Sequence, residues 1–130
     1  MLTLVYKGTP HMVLSVSEAA STAMLDTITG LMDGGQIEIL SADDDLIVTL
    51  QLSDPAAPAA RDGEIELNPI RAGLAVSAGQ AATARVVGPT GEVFVCDVTD
   101  LSGDGVIKLD KTQIRQGEPV RIHSFTLSMP

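Results

Sequence analysis

The stretch "AATARVVGPTGEVFVCDV", residues 81–98, decides the fold. Its halves, AATARVVG (81–88) and EVFVCDV (92–98), alternate at the two-residue period of a β-strand. Between them, Pro89-Thr90-Gly91 supplies residues suited to a turn. The same period recurs in both directions along the chain. QIEIL (36–40), DLIVTLQL (45–52), EIELN (64–68), VIKL (106–109) and VRIHSFTLSM (120–129) all read as strands. Turn signals separate them every few residues, and no crossover helices intervene. This spacing predicts a mainly β chain, a jelly-roll-like antiparallel β-sandwich.

One segment departs from that period. Residues 16–33 place Val16, Ala20, Met24, Ile28, Leu31 and Met32 at three- and four-residue steps, one apolar helix face. Ser15-x-x-Glu18 reads as a capping box at its start, and Gly34-Gly35 stop it. The expected organisation is an arm or strand over 1–14, then one domain over 15–130. That domain comprises the helix at 16–33 and the sandwich at 36–129. SDPAAPAARDG (53–63) reads as a surface excursion, since Pro55 and Pro58 forbid a continuous strand or helix.

Composition narrows the function. The chain has 130 residues, 45% of them hydrophobic, enough for a core. Tyr6, Phe94 and Phe125 are its three aromatics, so aliphatic side chains must build that core. A net charge of −9 disfavours direct nucleic-acid binding. No apolar run is long enough for a membrane-spanning helix. The start lacks a basic flank before a long apolar run, which predicts synthesis in a cytoplasm without a secretory leader.

Candidate chemistry is sparse. Asp100-x-Ser102-x-Asp104-Gly105 opens like a calcium loop, but Lys111 occupies the position that should supply a bidentate carboxylate. A polar turn is the better reading. Cys96 is the single cysteine and lies in an apolar run, which predicts a small buried hydrophobe. His123 lies in the closing strand, where it reads as structural. No nucleophile elbow, phosphate-cradling loop, paired acid/base carboxylates or metal-spaced Cys/His cluster is evident. The expectation is a non-enzymatic protein with no catalytic, cofactor-binding or metal residues.

The ordered segments "AASTAMLDTITGLMDGG", "LIVTLQLSDPAAPAA", "AGLAVSAGQAATARVVGPTGEVFVCDV" and "IRQGEPVRIHSFTLSMP" resemble a group of small tailed-bacteriophage virion proteins. The likeness covers roughly residues 19–130. Members of this type are similar to head decoration, or cement, proteins with a β-sandwich fold. The resemblance implies a structural protein on the capsid exterior that contacts major capsid proteins and stabilises the head. Closed point-group symmetry makes a homo-oligomer, a dimer or trimer, the expected assembly, selected by the local capsid axes. The acidic charge and the lack of a long apolar run predict no direct contact to nucleic acid or membrane. Exposure logic then nominates contact residues: Leu2, Leu4 and Tyr6 in the arm, Pro55 and Pro58 in the loop, and Phe125 in the last strand. The rival readings are a tail or baseplate module and a carbohydrate- or receptor-binding sandwich. Scarce aromatics and the absence of tryptophan disfavour the latter.

Overall fold

A computed structural model describes residues 17–61 and 64–128. It is mainly β, with one N-terminal helix and a curled, mostly antiparallel sheet, as the alternation predicts. Helix α1 spans Glu18–Met32. The strands are β1 (Gln36–Ser41), β2 (Leu46–Gln51), β3 (Glu64–Glu66), β4 (Gly73–Leu74), β5 (Gly79–Gly88), β6 (Gly91–Thr99), β7 (Ile107–Leu109), β8 (Gln113–Ile114), β9 (Pro119–Val120) and β10 (Ile122–Ser128). Seven of them run in the order β2-β1-β5-β6-β7-β10-β3, β8 pairs with β5 off that path, and β4 pairs with β9.

The central hairpin forms as its sequence predicts. Ala84 faces Cys96, Arg85 faces Val95 and Val86 faces Phe94 across β5 and β6. On its other side β5 pairs with β1, and there Glu38 lies directly opposite Arg85. Arg85 Nε donates to Glu38 Oε1 at 2.8 Å, a cross-strand ion pair on the polar face. The buried side chains of β1, Ile37 and Ile39, alternate with polar ones. In β2 both Ile47 and Val48 are buried, because the sheet is covered on both sides there. The segment after β4 lies along the β2 edge, where Val76 N–H donates to Ile47 O at 2.7 Å.

The helix differs from its sequence reading in two respects. Its cap is Ser17, whose hydroxyl accepts from Ala20 N–H at 3.2 Å. Ser15 and Val16 of the expected start lie outside the described residues. The buried face is also rotated. Ser21, Leu25, Thr29 and Met32 are buried, Met24 and Ile28 pack only partly, and Leu31 is 46% exposed. Thr29 can enter the core because its hydroxyl donates to Leu25 O at 3.0 Å, satisfying its one donor within the helix.

The end of α1 meets the sheet backbone to backbone. A Cβ on Gly88 would lie 1.8 Å from Leu31 O, and one on Gly35 would lie 2.1 Å from Val87 O. Only hydrogen fits at either position. Gln51 Nε2 then donates to Gly35 O at 2.8 Å, and Leu52 N–H donates to the same oxygen at 3.0 Å.

The Pro/Ala-rich loop is not a free excursion. Two carboxylates, one in the helix and one at its C-cap, hold it: Asp33 Oδ1 accepts from Ala56 N–H at 2.7 Å, and Asp26 Oδ1 accepts from Ala60 N–H at 2.9 Å. Residues 26 and 33 are two helical turns apart, so both face the loop. Ala56 and Ala60 thereby become part of the core.

Two substitutions test this frame. Gly88→Ala is expected to destabilise by about 3 kcal/mol or more, since backbone must move to admit the methyl. Asp33→Ala is expected to cost about 1–2 kcal/mol by leaving Ala56 N–H without its acceptor. Urea unfolding of each variant beside the parent chain measures both.

Candidate interaction surface

The nominated contact residues do not gather into one place. Leu2, Leu4 and Tyr6 lie outside the described residues. Pro55 and Pro58 are exposed on the anchored loop. Phe125 is not a surface residue. It is 3% exposed and meets Phe94 edge-on, with ring centroids 6.2 Å apart. Its position follows from a register shift in β10 between Ile122 and Ser124. Strict alternation would put His123 and Phe125 on the same face. The bulge breaks that phase, so His123 is exposed while Phe125 and Leu127 turn into the core.

The calcium-like stretch is a closed turn. Asp100 Oδ1 accepts from Ser102 Oγ at 2.7 Å and from Ser102 N–H at 3.0 Å. These bonds hold the Asp100 carboxyl below the usual carboxylate range, the hydroxyl contributing most. Gly105 N–H donates to Thr99 Oγ1 at 3.0 Å, folding the loop over that side chain. Gly103 and Gly105 approach Thr99 so closely that a Cβ on either would fall within 3.0 Å of it. The chain thus reverses twice in a few residues, and β7 returns parallel to β6, Val98 beside Ile107. No group of three or more His, Cys, Asp or Glu that could hold a metal occurs among the described residues.

Cys96 is half-buried and packs against the core. Burial pushes its thiol up to about 12, far above the range in which a thiolate forms at neutral pH. Lys111 and the Arg115 N–H hold Glu118 below the usual carboxylate range, the lysine contributing most. This brace fastens the turn before β9.

Two surface features were not legible in the sequence. The first is an apolar patch. Leu74 and Val76 are 67% and 59% exposed, and Leu46 beside them is 37% exposed. Ser77 Oγ donates to Leu46 O at 2.6 Å, which ties the two segments together. The second is a groove of about 780 Å3 between the first half of β10 and residues 66–72. After Leu67 N–H donates to Phe125 O, the chain leaves β10. Asn68 N–H turns to Ala56 O, and Ser53 Oγ donates to Pro69 O. Arg71, Arg121 and His123 line the groove, with Glu66 its one carboxylate.

Cys96 gives a direct check on this surface. With its thiol protonated and partly covered, alkylation by iodoacetamide at pH 8 is expected to be at least about tenfold slower in the folded chain than in urea. Mass spectrometry of timed samples measures the ratio; equal rates would contradict the burial of Cys96. Comparison of the chain with family models, with curated proteins and with solved structures finds no match.

Proposed function

We propose that this chain is a non-enzymatic structural protein of a tailed-bacteriophage virion, a decoration or cement protein of the capsid exterior. In this role it binds major capsid proteins and stabilises the head as a dimer or trimer. The observation that carries the reading is the ordered sequence pattern over residues 19–130. Its segments fall on successive elements of the fold: the helix segment on α1, LIVTLQL on β2, the AATARVVGPTGEVFVCDV segment on β5 and β6, and the closing segment on β9 and β10.

Two physical features support the role. A sheet with a helix seated on it by backbone contact is a stiff body, suited to bridging neighbours. The apolar patch at Leu46, Leu74 and Val76 gives such a body a surface to bury against a partner. The acidic remainder would face solvent and keep particles dispersed.

Tailed-phage heads lacking this protein, incubated with the purified chain and imaged by cryo-electron microscopy, test the reading. Ordered density on the head at local two- or three-fold axes is expected. Density confined to tails would replace the reading with a tail or baseplate role. Leu74→Asp with Val76→Asp should abolish head binding while changing stability by no more than about 0.5 kcal/mol, since both side chains are exposed.

A further inference from the structure

We propose that the groove beside β10 is a strand-docking site for an extended, carboxylate-bearing peptide segment of a protein partner. This goes beyond the particle reading and stands whether or not that reading holds.

Three observations carry it. First, the edge is open. From Ile122 to Phe125 β10 pairs with β7, while on its opposite side the chain bonds only from Phe125 onward, through Leu67 and β3, and before Arg121, where β4 pairs with β9. Pro69 and the bonds to Ala56 and Ser53 draw the chain after β3 away from β10 until Gly73 returns to pair with Val120. The bulge leaves His123 as the extra residue, outside the β7 ladder. A strand edge of three residues, about 10 Å long, therefore faces the groove. At about 780 Å3 the groove lies within the usual range of ligand clefts.

Second, the groove carries cations without partners. Arg71 and Arg121 are exposed and make no ion pair among the described residues. Arg85 and Lys111, by contrast, are paired. The chain carries −9 overall, so two free guanidinium groups beside one carboxylate make a local exception. His123 adds a third nitrogen base, 3.7 Å from Asp110.

Third, the two features fit one occupant. An added strand gains main-chain hydrogen bonds along β10, while carboxylates at alternate positions meet the arginine forks. A nucleic acid would meet the repulsion of the remaining acidic surface. A lone small anion would leave the strand edge unused.

The test uses the full chain labelled with nitrogen-15 and a capped seven-residue peptide alternating glutamate and valine. Saturable amide shifts are expected at Ile122, His123 and Ser124. Arg71→Ala with Arg121→Ala is expected to weaken binding at least about tenfold. A peptide with lysine in place of glutamate should not bind, and N-methylation at alternate residues should abolish the shifts. The inference is overturned if no saturable shift develops by about 1 mM peptide. It is also overturned if the arginine variant binds equally well, or if the N-methylated peptide does. Sulfate at equal ionic strength producing the same shifts would mark a simple anion site instead. Unchanged dispersion of the remaining amides establishes that the double variant folds.

Discussion

The contact between the end of α1 and the start of the β1–β5 ladder sets the geometry of everything else. Gly35 and Gly88 let two backbones touch where side chains would hold them apart. Helix packing through side chains normally sets axes 8–10 Å apart. Here the helix end instead abuts the strand, and Met32 and Leu25 drop into the core beneath it. From that junction the carbonyl of Gly35 receives both Gln51 and Leu52, which fixes where β2 ends. The carboxylates of Asp26 and Asp33 then fix the path of residues 53–61. That path delivers Pro55, Ala56 and Ser53 to Asn68 and Pro69, just after β3. The departure of residues 68–72 from β10, and so the groove itself, is linked through these bonds to the two glycines at the helix end.

Curling of the sheet is the second consequence. The helix contacts β3 as well as β5 and β6, although β7 and β10 separate β6 from β3 in the sheet. The curled sheet presents both regions to the one helix. The bend brings Phe94 of β6 against Phe125 of β10. In a chain so poor in aromatics, this ring pair fills volume that aliphatic residues elsewhere supply in smaller pieces.

Local features of the fold were legible and long-range ones were not. Period-two alternation found β1, β2, β5 and β6, because in each the alternating residue types run long enough to show a period. The helix and its glycine stop were legible, but its N-cap and buried face were not. Ser15-x-x-Glu18 has the better side-chain pattern, yet Ser17 makes the cap that is seen. Thr29 looks polar in sequence and is buried, because an internal hydrogen bond hides its hydroxyl. The parallel pairing of β6 with β7 defied expectation, since parallel neighbours usually need a longer crossover. Its loop works by folding over Thr99, a contact that no periodicity encodes. The bulge at Ile122–Ser124 likewise shifts the phase of β10 and buries the Phe125 nominated for contact. The groove was invisible for a simpler reason: Arg71 and Arg121 are distant in sequence and come to line one groove only through the β3–β10 and β4–β9 pairings.

The pairing of β3 with β10 also bears on the order in which the molecule assembles. Residues 66 and 126 must meet across a loop of about sixty residues, whereas the β5–β6 hairpin closes over two residues. Closing the larger loop costs more chain entropy, so the hairpin and its β1 neighbour can form early and β3 joins last. Until β3 has joined β10 and β4 has joined β9, residues 66–72 have no fixed place beside β10, and Arg71 is not held near Arg121. The groove is thus a property of the completed chain alone, so that a partner recognising it would distinguish finished molecules from those still folding.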